Sequence, residues 1–276
     1  MDAGLLFDEI AEQYDRVRPR YPDELFADVA TLTGAPKVAR VLEVGPGPGQ
    51  ATEGLLAQGW HVHAVEPGAA MAARAARNAA GQSFTVDVAT FDDWDPAGRT
   101  YDLLFSATAY HWVAPEIRWQ RAAAVLEPGS AIALATNRTV SGGTFTDVYR
   151  ESADLHAKYA KEVEFGVPSD ARSILDEVNA AQKDIGAVWD AVESKSGPTL
   201  AGDLFTAPVI RWYEWETAYD TADAIALLST YSPYLKVPPH RREPLFAAMA
   251  DLIRTRFGGR VTRTYLAVLA VAQRRG

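Results

Sequence analysis

The sequence predicts an α/β fold built on an open, mostly parallel sheet, and three observations lead to it. Five apolar runs of strand length alternate with helical segments through the first half of the 276-residue chain. The runs are almost continuously apolar, as in VARVLEV and AIALAT, which is typical of strands covered on both faces. A glycine-rich turn follows the first run and opens a helix. Parallel strands joined by helical crossovers produce this alternation.

Strands and helices are assigned from length, periodicity and bounding turn residues. The predicted strands are Val38–Val44, Trp60–Glu66, Phe84–Val88, Tyr101–Ser106, Ser130–Thr136, Val209–Tyr219 and Val261–Ala272. The predicted helices are Ala51–Gln58, Ala69–Ala80, Glu116–Leu126, one from Thr221 through Leu228, and Arg241–Phe257. The two closing strands complete a sheet of seven.

A helical insertion is predicted between the fifth and sixth strands. Thr144 with Asp147 resembles a capping box that opens one helix, and a second helix starts near Pro168 and ends at Gly197-Pro198. We therefore divide the chain into residues 1–35, a core of 36–140, an insertion of 141–200, and 201–276, which complete the sheet. The insertion either covers a site or is an additional helical layer without a role in one.

Composition excludes several classes of protein. The chain has 27 basic and 36 acidic residues, and its net charge of −9 opposes general binding of nucleic acid. The absence of cysteine excludes disulfides, thiolate metal sites and a cysteine nucleophile. No apolar run reaches the ~18–20 residues of a membrane span, and the first residues do not resemble an export signal. We expect a cytoplasmic protein without metal, membrane or nucleic-acid partners.

The glycine-rich turn and a later acid form the strongest candidate site. Glycines at 45, 47 and 49 allow a sharp turn at a helix start, where backbone N–H groups face a ligand. Glu66 ends the second strand, where a carboxylate can accept both hydroxyls of a ribose. Gln50 replaces the third glycine of the dinucleotide fingerprint, and two prolines remove N–H donors. A nicotinamide-dependent oxidoreductase is the less favoured alternative, and an ordinary turn with a solvated glutamate is another.

These residues carry a resemblance. E-V-G-x-G-x-G, with an acid ending the next strand, resembles the class I S-adenosylmethionine-dependent methyltransferases. Five further segments resemble the small-molecule branch that includes trans-aconitate methyltransferase and type 11 methyltransferases: 7–22, 101–106, 109–112, 231–234 and 264–266. The resemblance implies a Rossmann-like sheet of order 3-2-1-4-5-7-6 with an antiparallel last strand and a helical insertion after strand 5.

The resemblance also implies how S-adenosylmethionine would be held. The methionine end would lie beside Gly45, Gly47 and Gly49, with Glu43 holding the turn or meeting the amino group through water. Residues 1–35 would form a helical lid, in which Tyr14 and Arg18 share a helix face and reach the methionine carboxylate.

The adenosine end is implied at the second and third strands. Glu66 would bind the ribose hydroxyls, and Pro67 would lie along the adenosine. Asp87 would meet the adenine amino group, and Val88 would flank the ring. Ser106 ends the fourth strand, where the family exposes the reactive methyl group.

A sulfonium needs no activation, so the reaction requires placement of the acceptor in a water-poor site rather than a catalytic dyad. His111 follows the fourth strand beside Trp112, and a histidine there can take a proton from the acceptor. The alternative is that both rings only line the pocket. Because so few side chains are required, a non-catalytic or repurposed relative that binds the cofactor is a further alternative.

Tyr231 and Tyr234, with the basic residues that follow, form an aromatic and basic group that can bind the acceptor. On this basis the acceptor is a small molecule, a carboxylate or a phenol, and the insertion at 141–200 would be a substrate lid. The alternative is an exposed loop with solvated charges. The sequence makes no prediction about oligomeric state.

Overall fold

The computed structural model describes residues 10–163, 166–193 and 200–276. Residues 1–9 of the predicted lid and the predicted helix end at Gly197-Pro198 lie outside the described residues. The strands are β1 Arg40–Val44, β2 His61–Glu66, β3 Phe84–Val88, β4 Tyr101–Ala107, β5 Leu126–Val140, β6 Val209–Asp220 and β7 Arg260–Gln273.

The helices flank the sheet and extend beyond one end of it. They are α1 Ala11–Val17, α2 Asp23–Thr33, α3 Thr52–Ala57, α4 Ala69–Asn78, α5 Arg118–Ala124, α6 Phe145–Glu151, α7 Ala153–Tyr159, α8 Ala171–Ala181, α9 Ile185–Glu193, α10 Thr221–Ser229, α11 Ser232–Leu235 and α12 Pro239–Arg256. Within the three described stretches, no helix is both long and apolar enough to cross a bilayer.

All seven strands form one sheet in the order β3-β2-β1-β4-β5-β7-β6. The pairs from β3 to β5 are parallel, whereas β7 runs antiparallel to both β5 and β6. Both the predicted fold class and the predicted strand order are confirmed. Alternate strand residues bury into two apolar cores, one on each face, as expected for a sheet covered on both sides.

Strand β5, Leu126–Val140, extends beyond the predicted Ser130–Thr136 at both ends, and the later extension is polar. The prediction stops at Thr136, but residues 137–140 continue the pairing until Val140 lies opposite Thr264 of β7. Asn137-Arg138-Thr139 has no apolar alternation, so the strand is extended by its backbone pairing with β7. This extension carries three polar side chains past the end of the parallel strands.

The first predicted helix of the insertion is two helices. It divides at Ser152, whose buried hydroxyl donates to the Val148 carbonyl at 2.6 Å. The predicted capping box is wrong, because Thr144 makes no side-chain cap and its Oγ1 instead accepts the Thr262 amide at 2.9 Å. The hydrogen bonds of Thr144 therefore fasten the start of the insertion to β7.

The second predicted helix of the insertion is also divided. The Asp184 carboxylate accepts the amides of Gly186 and Ala187 and so begins a new helix, α9. The apolar sides of α8 and α9 join the core that contains Leu266 and Val268 of β7. This part of the insertion is a helical layer on the sheet, although its last residue, Glu193, reaches the cavity described next.

Candidate functional site

A cavity of about 700 Å³ opens at the carboxyl ends of β1, β2 and β4. Open α/β sheets bind ligands at this edge. Ten of the predicted site residues line it: Tyr14, Arg18, Glu43, Gly45, Gly47, Glu66, Pro67, His111, Trp112 and Tyr231. The cavity therefore brings together residues from the N-terminal helix, the glycine turn, the β4 end and the C-terminal quarter.

Asp87 and Val88 lie outside this lining, which differs from the expectation. The Asp87 carboxylate accepts the Trp94 indole N–H at 2.7 Å and lies 3.0 Å from His63 Nε2. Val88 is 58% exposed. The acid that the structure brings to the cavity from this region is Asp92, held by the Ala114 amide at 3.1 Å.

Three further predicted residues have structural positions outside the lining. Gly49 turns the chain with φ +101 and packs on α4. Ser106 is fully buried, and its hydroxyl donates to the Val44 carbonyl at 2.7 Å, which ties β4 to β1. Tyr234 is buried with its hydroxyl 2.8 Å from His156 Nε2.

The glycine turn is shaped for a close approach by a ligand. Gly45 and Gly47 have φ values of +70 and +57, and a Cβ on Gly45 would lie 2.5 Å from the Cβ of Ala109. The Glu66 carboxylate braces the turn, because it accepts the Gly47 amide at 3.0 Å and the Gly68 amide at 2.9 Å. Glycine is required at position 45 by its left-handed conformation and by contact with the β4 loop.

Glu43 gives the cavity a buried acid. It is 1% exposed and accepts the Thr52 hydroxyl at 2.6 Å. Burial, with a smaller contribution from the nearby charge of Glu66, raises the pKa of Glu43 to about 8 against the lowering effect of the Thr52 hydrogen bond. Nearby, the buried amide nitrogen of Gln50 has no hydrogen-bond partner among the described residues. Two carboxylates and an unpaired donor suit a ligand that has a cationic amine, hydroxyls and a carboxylate.

The N-terminal helix is fastened over the cavity by Arg18. Its Nε and Nη2 donate to the hydroxyl and carbonyl of Thr230, each at 2.8 Å. The guanidinium carbon lies 4.7 Å from the ring centre of Tyr14 and 4.0 Å from that of Tyr231. Tyr14 and Arg18 therefore lie together at one wall of the cavity.

His111 and Glu193, two further residues of the cavity lining, lie close together. His111 Nδ1 lies 3.7 Å from a carboxylate oxygen of Glu193, whose side chain is 11% exposed. Beside the histidine, Trp112 is 51% exposed. A carboxylate next to one ring nitrogen favours the histidine orientation in which the other nitrogen is available to a ligand.

Several lining residues were missed by sequence reasoning. Glu193 belongs to an insertion without a recognised motif, and Asp92 lies five residues beyond the acid that the resemblance selected. Thr108 follows β4 with φ +53, and its hydroxyl lies 2.7 Å from that of Tyr21. Strained non-glycine residues cluster at binding sites, but φ cannot be read from one sequence.

The described residues contain no cluster of three or more His, Cys, Asp or Glu side chains that could hold a metal ion.

Residues 41–129 match the family described as "Methyltransferase domain". An uncharacterized methyltransferase of Mycobacterium tuberculosis is 32% identical over 136 residues, which are 49% of this chain and 54% of that protein. One from Geobacillus kaustophilus is 32% identical over 140 residues, 47% of this chain and 64% of that protein. The chain thus spans about half to two thirds of the curated relatives it matches.

A solved structure shares the fold over nearly the whole chain. It is described as a type II methyltransferase from Anaeromyxobacter dehalogenans, and the alignment covers 93% of this chain and 97% of that one. The TM-score is 0.59 and the sequence identity is 22%. At this coverage the likeness extends well beyond residues 41–129.

Proposed function

We propose that this chain, whose residues 41–129 form a methyltransferase domain of the class I, S-adenosylmethionine-dependent type, transfers a methyl group to a small molecule. The observation that carries the proposal is the cavity in which the glycine turn, Glu43 and Glu66 face one space. The prolines and Gln50 in this turn make it a poor pyrophosphate cradle, which disfavours a redox dinucleotide. We further propose a carboxylate or phenol as the acceptor.

S-adenosylmethionine, when bound, supplies a methyl group already activated on a sulfonium. The residues of this chain bind and orient it: Glu66 would accept the ribose hydroxyls, Glu43 would face the amino group, and Tyr14 with Arg18 would hold the carboxylate. The walls from α1 and the insertion exclude water, which favours transfer over hydrolysis.

Binding of S-adenosylhomocysteine tests the proposal without knowledge of the acceptor. Calorimetry is expected to show one site, and NADH is expected not to compete for it. A protein that binds NADH in this cavity, or neither compound, would contradict the proposal. Incubation with methyl-labelled S-adenosylmethionine and a metabolite extract must then yield a labelled small molecule, which separates a catalyst from a relative that only binds.

We propose that His111 assists removal of the acceptor's proton and is oriented by Glu193. Both His111→Gln and His111→Ala are expected to lower kcat about tenfold or more, because a positioned general base contributes at least this much. The affinity for S-adenosylhomocysteine is expected to be unchanged. His61→Gln, which changes an exposed histidine of β2 outside the cavity lining, serves as the control. Near-normal kcat in both histidine variants would show that His111 only lines the cavity.

A further inference from the structure

Thr108 follows the last residue of β4 and has a backbone conformation that β-branched residues rarely adopt. Its φ is +53, in the left-handed region, where a branched side chain crowds the backbone. Its amide donates to the Ala135 carbonyl of β5 at 2.8 Å, which keeps the residue on the β5 side of β4. Strained residues of this kind cluster at ligand sites, where the surrounding structure holds them in place. Because Thr108 lines the cavity, its side chain is a candidate for contact with a ligand.

Thr108 and Tyr21 form a pair of hydroxyls in the cavity wall. Their oxygens are 2.7 Å apart, and neither makes another hydrogen bond within the described residues. The Tyr21 ring packs edge-on against Phe26, with 6.5 Å between the ring centres. The carbonyl of the preceding residue, Arg20, accepts the side-chain amide of Asn137 of β5 at 3.3 Å. The position of the Tyr21 hydroxyl is therefore fixed by contacts on both its ring and its backbone.

The hydrogen bond between the two hydroxyls leaves one hydrogen for a ligand. Two hydroxyls carry two hydrogens, and the bond between them uses only one. A phenol is the stronger donor and an aliphatic hydroxyl is the stronger acceptor, so Tyr21 donates to Thr108. Burial raises the pKa of Tyr21, so the phenol keeps its hydrogen at neutral pH. The hydrogen of the Thr108 hydroxyl is therefore the one available to a ligand in the cavity.

The position of Thr108 assigns this hydrogen to the methyl acceptor rather than to the cofactor. Glu43 and Glu66, which the proposed function gives to the cofactor, lie on β1 and β2. Thr108 is bonded instead to β5, on the other side of β4. His111, the proposed base, follows three residues later in the chain. The donor therefore lies away from the cofactor acids and close in the chain to the residue proposed to act on the acceptor.

We infer that the Thr108 hydroxyl, oriented by Tyr21, donates a hydrogen bond to the reacting atom of the acceptor, and that this atom is an oxygen. The inference rests on the proposed function and deepens it. An oxygen has more than one lone pair, so one accepts this hydrogen bond while another attacks the methyl carbon. A neutral amine has a single lone pair, which the hydrogen bond would occupy. In the step an O–C bond forms, the C–S bond breaks with its electron pair left on sulfur, and Thr108 keeps its hydrogen.

Transfer of labelled methyl groups to a metabolite extract measures the role of Thr108 without knowledge of the acceptor. Thr108→Val removes the hydroxyl but keeps the branch, and it is expected to lower the rate in dilute extract about 10- to 100-fold, because a hydrogen bond to a charged oxygen is lost. Thr108→Ser keeps the hydroxyl and is expected to retain most of the rate. Thr31→Val, at an exposed threonine of α2, is the matched control.

Tyr21→Phe removes the group that orients the Thr108 hydroxyl and is expected to cause a smaller loss of rate. This variant tests the inference even if Thr108→Val does not fold. An unchanged rate in either folded variant would overturn the inference. So would equal losses in Thr108→Val and Thr108→Ser, because the hydroxyl would then have no part in the loss.

The bond formed in the labelled product tests the identity of the acceptor atom. A methyl ester releases its label as methanol in mild alkali, which identifies a carboxylate, whereas a methyl ether resists alkali and identifies a phenol. Label found by mass spectrometry on nitrogen or carbon would overturn the inference. Thr108→Val is expected to bind S-adenosylhomocysteine as the wild type does, and weaker binding would assign the hydroxyl to the cofactor instead. Wild-type protein that does not bind S-adenosylhomocysteine, or labels no small molecule, would refute the proposed function itself, so the two failures are distinguishable.

Discussion

The variant Glu66→Ala is expected to bind S-adenosylhomocysteine about 100-fold more weakly than the wild type or worse. Two hydrogen bonds from ribose hydroxyls to a carboxylate contribute about 1.5–3 kcal/mol each, and the loss of both exceeds that factor. The same carboxylate accepts the amides of Gly47 and Gly68, so its removal also loosens the turn. Isothermal titration calorimetry measures the affinity directly.

Two further variants help to separate the loss of the ribose hydrogen bonds from a general effect of removing an acid. Glu66→Gln keeps the shape but can offer only one good acceptor atom, so an intermediate loss is expected. Glu177→Ala changes an exposed acid of α8 and is expected to leave the affinity unchanged. Unfolding curves for each protein show whether the fold is retained. An affinity within about threefold of the wild type for folded Glu66→Ala would remove Glu66 from the cofactor site.

Glu43→Gln is expected to stabilise the free protein at alkaline pH while weakening cofactor binding. The pKa of Glu43 is raised from 4.5 in the unfolded chain to about 8 in the folded one. Between these values the folded state binds a proton that the unfolded state does not, so stability falls as pH rises. Over the whole window the loss of stability is on the order of 5 kcal/mol. Glutamine does not ionise and is free of this loss.

Thermal unfolding at two pH values tests whether Glu43→Gln changes the stability in the expected direction. At about pH 5 both proteins are expected to unfold at similar temperatures, and at about pH 9 the variant is expected to unfold several degrees higher. Glu53→Gln alters an exposed acid of the adjacent helix and is the matched control. A variant that gains no stability at the higher pH would show that Glu43 is ionised at little cost in the free protein.

Bound cofactor is expected to reverse the preference of Glu43 for its protonated form. A cationic amino group beside Glu43 favours the carboxylate, so binding is expected to release a proton near neutral pH. Calorimetry in buffers with different heats of ionisation counts the protons released. Glu43→Gln is expected to release fewer and to bind more weakly, because it lacks the charge. The burial of Glu43 is thus expected to lower the stability of the free protein at alkaline pH and to raise its affinity for the cofactor.

The parts of the site that depend on local signals were predictable from the sequence. Glycines in a strand-to-helix turn and an acid at the end of the next strand have fixed spacing in such folds, and Gly45, Gly47 and Glu66 line the cavity as expected, whereas Gly49 does not. The path of the chain after β3 has no such signal. It turns at Thr90–Asp93 so that Asp92 reaches the cavity and Asp87 pairs with His63 instead.

The part of the cavity around Tyr231 was less predictable because it is assembled from distant segments. Arg263 and Arg18 are brought to one tyrosine by the antiparallel pairing of β7 and by the docking of α1, neither of which has a local signature. The basic residues expected to accompany Tyr231 lie elsewhere; Arg241, for example, pairs with Glu162. Polarity alone therefore led to Tyr231, which lines the cavity, but not to Arg263 beside it.

The hydrogen bonds and the ion pair between α1 and the α10 region have a consequence for how this protein unfolds. Gln13 donates to the Ala226 carbonyl at 3.0 Å, Arg18 donates to Thr230, and Arg16 pairs with Asp223. These bonds join two segments that lie more than 200 positions apart in the chain, beside the cavity. Neither segment can form this part of the cavity wall without the other. Separately expressed fragments divided near residue 140 should need each other to recover a ligand-binding state, and the loss of that state on heating should coincide with the collapse of the sheet.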